Sequence, residues 1–319
     1  GWPAPYSGCG STVRSFKITL ADGTSIPCSR ERNPEVFNAA MGGYGLIGVI
    51  TDIELDMVPN QRLAPLFEEM KGDDFGPRFR DLVLAGDGVS MAYGRLDVSH
   101  NNFFEDALAI TYRPEGDQSN LPAVQGSGLV SKAARPLFRA QVNNERAKAI
   151  RWWVETEIGT RLGGSTTRNN LLNEPVITLG DKDPSRTDIL HEYFIPPERL
   201  HEFLASCRNV IPNSYQQLLN VTLRYVAADT ESLLSYAPQE RIAAVMLFSQ
   251  EKTDRAEGDM QRMTRLLIDG ALAAGGSYYL PYRLHATKEQ FVAAYPRAAE
   301  FTALKKKIDQ QERFSNALW

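Results

Sequence analysis

The chain has 319 residues, 43% of them hydrophobic and 23% charged, an ordinary globular composition that excludes disordered, collagenous and coiled-coil chains. Lys and Arg number 35 and Asp and Glu 39, so the net charge is −4, which argues against a protein that grips nucleic acid through its phosphates. The 3 cysteines, Cys9, Cys28 and Cys207, form no CxxC pair, so neither a disulfide framework nor a structural zinc is expected and a reducing, cytoplasmic setting is.

Residue 1 is Gly, the first ten residues read as a loop without a signal-peptide pattern, and a strand follows almost at once. The chain therefore reads as a piece of something longer. Val13 to Leu20 alternates apolar and polar residues, Ala21-Asp22-Gly23-Thr24 is a turn signal, and Ile26 to Cys28 starts a partner strand, together a β-hairpin. Asn33 is expected to cap a short helix with Pro34 at its first position, and the glycine-rich stretch Gly42 to Gly48 ends it. Val49 to Val58 reads as a strand that carries Asp52, Glu54 and Asp56.

From residue 61 the texture changes. Strand-like runs at 88–98, 107–113, 189–195, 216–226 and 241–249 alternate with helical stretches around 133–160, 198–208 and 254–274. This predicts an α+β layer, an antiparallel sheet covered by helices. Residues 114–132 and 159–186 read as loops. Thr287 and Gln290 form a capping box, and a last helix follows Tyr295-Pro296 with Phe301 and Leu304 inward and Lys305-Lys306-Lys307 near its C-terminal end, where cations suit the dipole. No apolar run reaches the roughly 18 residues of a membrane span, which leaves only peripheral membrane association open.

Gly43-Tyr44-Gly45-Leu46-Ile47-Gly48 matches G-x-G-x-x-G. The dinucleotide fingerprint needs a strand before the glycines and a helix after them. Here the order is reversed, so the glycines read either as a loop that lets a ligand approach bare backbone or as a plain helix-to-strand connector. No two of the histidines His100, His191, His201 and His285 sit at metal-ligand spacing on one face, and no metal site is expected. Two polar strands remain. Alternation puts Asn220, Thr222 and Arg224 on one face, either a polar cavity floor for an oxygen-rich ligand or a solvent-facing side. It also puts Tyr279 and Arg283 on one face and Tyr278 and Tyr282 on the other, suited to stacking and hydroxyl recognition or to core packing.

Gly10-Ser11-Thr12-Val13-Arg14-Ser15, Leu20-Ala21-Asp22-Gly23, Asn33-Pro34-Glu35-Val36-Phe37 and Gly42 through Thr51 together resemble the second half of the FAD domain in the vanillyl-alcohol oxidase, or PCMH-type, superfamily of FAD-linked oxidoreductases. Gly275-Gly276, Tyr295-Pro296 and Phe314-Ser315-Asn316 resemble that family's C-terminal return to the flavin. The nearest branches are decaprenylphosphoryl-ribose oxidase and the sugar-lactone and alditol oxidases. The resemblance implies FAD as cofactor, lying along Gly42, Gly43, Gly45, Gly48, Val49 and Ile50 and touching Gly8, Cys9, Gly10 and Thr12. It implies a bipartite FAD domain over 1–59 and 281–319, its first subdomain missing from a flavoenzyme of about 450 residues, and a substrate domain over 60–280.

Within the resemblance, Tyr279 matches a tyrosine on the substrate side of the flavin, while the lysine expected after it reads Tyr282, with Arg283 beside it. The implied reaction oxidises an alcohol carbon of a sugar-like or polyol substrate, with Tyr279, Arg283 and Arg224 in catalytic roles and Asn220, Thr222, Tyr282 and His285 binding substrate. Aldonolactone oxidation of the D-arabinono-1,4-lactone type is the alternative. A non-catalytic flavin- or carbohydrate-binding piece is the alternative of another class.

Overall fold

A computed structural model describes residues 9–86, 88–124, 136, 138–173 and 183–319. The hairpin is present as β1 (Val13–Thr19) and β2 (Ser25–Ser29), with Gly23 at φ 88 in its turn. The Asp22 carboxylate accepts the Thr24 amide at 2.9 Å and the Thr24 hydroxyl at 2.6 Å, which fixes that turn. β3 (Val49–Leu55) pairs with the other edge of β1, giving the antiparallel order β2-β1-β3. Val13 and Phe16 lie three apart yet are both buried, because the β1–β3 register shifts between Val13 and Ser15 and turns both inward.

Helix α1 (Pro34–Ala40) covers this sheet, with Phe37 stacked on Phe16 at 5.1 Å between ring centroids. Its cap differs from expectation. Asn33 sits in the left-handed region at φ 51 and makes no side-chain cap bond; its amide donates instead to the Pro27 carbonyl at 2.8 Å. Pro34 supplies the preset φ that starts the helix. Every residue of β3 is exposed, and a second register shift between Lys17 and Ile18 puts Ile50 on one face with Ile53 and Leu55, and Val49 on the other with Asp52 and Glu54.

The second sheet has eight described strands: β4 (Arg62–Lys71), β5 (Met91–Leu96), β6 (Asp106–Pro114), β7 (Thr166–Thr167), β8 (Arg186–Ile195), β9 (Gln217–Val226), β10 (Arg241–Glu251) and β11 (Ser277–Tyr278). Their order is β11-β8-β10-β9-β5-β6-β4-β7, with all described pairs antiparallel. Two long elements, β4 and the helix α2 (Phe75–Leu84), escape the sequence reading, as do β7 and a short helix at Arg168–Leu172 inside the 159–186 stretch read as loop. Pro65 interrupts the first and Gly76-Pro77 opens the second, and both punctuate like loops. A proline in a first helical turn removes no intrahelical bond, so α2 forms regardless.

α2, α4 (Leu200–Val210) and α5 (Asp254–Ala273) cover one face of this sheet. Phe75, Phe79, Phe203, Leu204, Met260, Met263 and Leu267 bury there against Val221, Leu223, Ala244, Met246 and Phe248, in a core continuous with that of the small sheet. On the opposite face α3 (Glu145–Trp153) packs Trp152 over Leu63, Leu108, Ile110 and Tyr112. That screens the β4–β6 side; on the β8–β10–β9 side the described strands present Asp188, Glu192, Asn220, Thr222 and Arg224 among Leu190, Phe194, Val245 and Leu247.

The C-terminal part adds α6 (Lys288–Ala294), with both bonds of the Thr287–Gln290 capping box, and α7 (Ala298–Ile308). Lys305 is not a surface cation: it is fully buried in an ion pair with Asp309. The tail then returns to the small sheet, where Arg313 donates to Ala21 O at 2.8 Å and Asn316 to Tyr44 O at 2.9 Å. No helix among the described residues is long and apolar enough to cross a membrane.

Candidate active site

The glycine-rich loop runs from α1 into β3, helix before and strand after, the reverse of a dinucleotide fingerprint. Gly42, Tyr44 and Gly45 have φ of 70, 53 and 75, so the backbone coils tightly in the left-handed region. A side chain at Gly43 would place its Cβ 2.2 Å from the Ala39 carbonyl oxygen, and one at Gly48 would come within 2.6 Å of the Thr19 oxygen. Those two glycines are demanded by the chain itself. Gly45 is different, with nothing within 4 Å of where a Cβ would stand. Beside it Val49 is 53% and Ile50 38% exposed. The loop at Gly45 thus offers a shallow cradle of bare backbone, and Val49 and Ile50 lie exposed just beyond it on opposite faces of β3.

A contrast follows. Gly45→Ala should fold and cost about 1 kcal/mol for its left-handed backbone, whereas Gly43→Ala should cost clearly more because backbone has to move. Thermal unfolding of the two variants reads the difference, and equal losses would refute this division.

The turn Cys9–Thr12 stands beside the loop, with Gly10 facing Met41. Arg30, which the sequence reading missed, secures it. Its guanidinium donates to Val13 O at 2.8 Å and Gly10 O at 3.2 Å, and forks onto Glu231 at 2.7 and 2.8 Å. Gly8 lies outside the described residues.

Tyr44 carries the loop to the large sheet. Its ring meets Tyr279 edge-on at 6.3 Å, and Tyr279 in turn meets Tyr282 at 5.3 Å, Tyr236 at 5.6 Å and Phe194 at 6.2 Å. Burial first, then Tyr279, Tyr236 and Glu192, pushes the Tyr44 phenol far up, and burial with Glu192 does the same to Tyr282. These hydroxyls stay protonated and serve as donors. The Tyr282 hydroxyl donates to Glu192 Oε2 at 3.4 Å. Burial raises the Glu192 carboxyl, while Arg224 and that hydrogen bond pull the other way.

Strand register sets the rest. Glu192 opposes Val245, Val245 opposes Thr222, and Thr222 opposes Arg95, so these four cross β8, β10, β9 and β5 in one row on one face. The next row holds Phe194, Ala243 and Arg224. Neighbouring strands are about 4.8 Å apart, so roughly 10 Å separates the Glu192 and Thr222 backbones, with only Val245 and Ala243 between them. The result is a trough with an acid and tyrosines on one bank and polar groups on the other. On the far bank Arg95 donates to Thr222 Oγ1 and lies 5.1 Å over the Tyr93 ring. Asn220 donates to the same oxygen at 3.3 Å and accepts from Arg151 at 2.7 Å. Asn220, Thr222 and Arg224 share a face, as alternation requires.

Arg283 and His285 go elsewhere. The regular strand stops at Tyr278, so period-two alternation does not extend to residue 283, and it is Tyr282 that joins Tyr279. Arg283 pairs with Glu257 of α5 at 3.2 Å. The His285 ring bridges Glu257 Oε1 at 3.0 Å and Thr264 Oγ1 at 3.2 Å, on the helix-covered side. His191 is on that side too, within 3.0 Å of the Tyr193 hydroxyl, and burial holds it neutral at about 3. Glu192, Tyr44, Tyr236 and Arg95 are site residues that sequence reasoning missed. The signal for Glu192 was an acid on the outward phase of the apolar half of β8, between Leu190 and Phe194.

The chain is similar in fold to 6-hydroxy-D-nicotine oxidase from Arthrobacter nicotinovorans, with a TM-score of 0.50 and 16% identity, over 96% of this chain and 65% of that one. In sequence it is 40% identical over 55 residues to a Neurospora crassa protein assigned as a D-arabinono-1,4-lactone oxidase, and 37% identical over 54 residues to cytokinin dehydrogenase 9 of Oryza sativa subsp. japonica. It is also 37% identical over 51 residues to the FAD-dependent monooxygenase drtC of Aspergillus calidoustus. These matches take in 16–17% of this chain and span about a tenth of the length of each curated relative. No family model matches. The likenesses support a PCMH-type FAD-linked oxidoreductase over a small part of the chain, and that family implies FAD as cofactor.

Proposed function

We propose that this chain, as part of an FAD-loaded enzyme, oxidises an alcohol carbon of a sugar-like or polyol substrate. The observation that carries the reading is Tyr44: it rises from the glycine loop and packs on Tyr279, so the cradle and the polar trough adjoin. The cradle suits a flavin, since Gly45 leaves the backbone open with no side chain in the way, and the strand it leads into carries exposed apolar residues on both faces, Val49 on one and Ile50 on the other. Gly42, Gly43, Gly45, Gly48, Val49, Ile50, Gly10 and Thr12 would hold it, within a cofactor-binding part made of 1–59 and 281–319, with 60–280 as the substrate part. When bound, the flavin supplies a hydride acceptor.

The remaining roles belong to this chain. Tyr279 and Tyr282 orient the reacting hydroxyl as donors, and Asn220, Thr222 and Arg224 hold further substrate oxygens. Arg283 and His285 are left out because both face Glu257. Buried free thiols at Cys28 and Cys207 support a reducing, cytoplasmic setting. An aldonolactone substrate is the second reading, favoured by the Neurospora relative.

The test is FAD titration of the protein, gel filtration, and anaerobic bleaching of the retained flavin by alditols and by aldonolactones. Bleaching by either class identifies an enzyme and its substrate. Retained flavin that neither class bleaches would mean a binding module. Tyr279→Phe should slow bleaching about tenfold, the worth of one hydrogen bond of about 1.4 kcal/mol, while Arg283→Gln should change it less than twofold. The reverse order would return Arg283 to the site.

A further inference from the structure

Oxidising an alcohol carbon requires a group that takes the hydroxyl proton, and the reading above leaves that group unassigned. The histidines are unavailable, since His191 and His285 lie under α5 on the far side of the sheet. Tyr44 and Tyr282 are unsuited, because burial and the neighbouring tyrosines and Glu192 keep them protonated. Two other carboxylates on this side of the sheet are already committed: Asp188 takes the fork of Arg139, and Glu155 that of Arg151.

Glu192 remains. Its strand phase aims it at the trough, between Tyr282 and the Thr222–Arg95 bank. Its contact with Tyr282 is long, 3.4 Å, and a substrate hydroxyl could replace it. Arg224 acts on it electrostatically without an ion-pair contact, so proton uptake would not have to break a tight salt bridge.

We propose that Glu192 is the proton acceptor of the alcohol oxidation, a role that rests on the reading of an FAD-linked alcohol oxidoreductase. The substrate O–H bond breaks and its proton passes to a Glu192 oxygen. The carbinol C–H bond breaks and its hydrogen leaves as hydride to the oxidised flavin, and the C–O bond becomes C=O. A carboxyl raised by burial suits the task, because a stronger base takes the proton more readily.

The test uses Glu192→Gln and Glu192→Asp in the FAD-loaded enzyme, with anaerobic stopped-flow reduction across pH. Glu192→Gln should slow flavin reduction at least about 100-fold, and Glu192→Asp should recover part of the loss. The wild-type rate should fall as pH drops and Glu192 becomes protonated, and this acid limb should vanish in Glu192→Gln. Apart from activity, infrared difference spectra of wild type against Glu192→Gln should show one carboxyl band titrating above the ordinary glutamate range. A Glu192→Gln enzyme that is reduced at the wild-type rate with the same pH profile overturns the role and leaves the flavoenzyme reading intact. A wild-type flavin that no alcohol bleaches overturns both.

Discussion

Asp309→Ala should lower the unfolding free energy by about 3–5 kcal/mol, the usual cost of removing one partner from a buried ion pair. Lys305 is 0% exposed and Asp309 1%, so the ammonium left behind has no route to water. The carboxylate also accepts the Arg313 amide at 3.0 Å and the Phe314 amide at 2.9 Å, which turn the tail back toward the small sheet. Phe314 and Trp319 rings lie 6.0 and 5.7 Å from the Lys305 nitrogen, so the aromatic lid over the pair depends on that turn. Lys305→Met with Asp309→Leu should recover much of the loss but not all, since the two amides still lack an acceptor. Urea denaturation of the two variants beside the wild type measures this, and a loss under 1 kcal/mol in Asp309→Ala would contradict it. The pH dependence follows in sign. Burial by itself would raise the Asp309 carboxyl, but the bonds from Lys305, Phe314 and Arg313 outweigh it and hold it at about 2, below the ordinary 3.8. The contribution is therefore complete above about pH 4 and lost as pH falls through 2.

Gly76→Ala should cost about 3 kcal/mol, at the upper end of what overpacking does. A Cβ there would stand 2.0 Å from the Pro197 carbonyl oxygen and 3.0 Å from Leu200 Cβ. Both neighbours belong to the turn and first residue of α4, so relief requires α2 and α4 to separate, and both helices support the sheet that bears the trough. Gly258→Ala in exposed α5 is the control. Nothing lies within 4 Å, so it should stabilise by roughly 0.5–1 kcal/mol through helix propensity alone. Parallel thermal melts decide, and similar shifts for the two variants would contradict the contact.

What was legible in the sequence was local. The hairpin turn, the Pro34 helix start, the Thr287–Gln290 box and the helix-glycine-strand order are all written within a few neighbouring residues. What failed depended on partners remote in sequence or on an element's end. Lys305 looked like a dipole-compensating cation because the rings that bury it arrive from 314 and 319. Tyr279 and Arg283 were read on one face because alternation was carried past Tyr278, where the strand stops. The outward phase of Glu192 was readable, but that this phase meets a trough follows only from where α3 and the large helices pack. Arg30 had no local mark, since its carboxylate partner lies 201 residues away.

The exposed strand β3 also governs how this chain behaves as a solute. Ile50, Ile53 and Leu55 give one side an apolar strip at the edge of the described sheet, the form of surface that recruits other strands. Asp52 and Glu54 on its other side supply the charge that keeps copies apart. Salt weakens that repulsion by screening, and sulfate strengthens apolar association at the same time. The limiting property of the chain in concentrated solution is thus colloidal rather than conformational: it would salt out through this strip while its core is still folded.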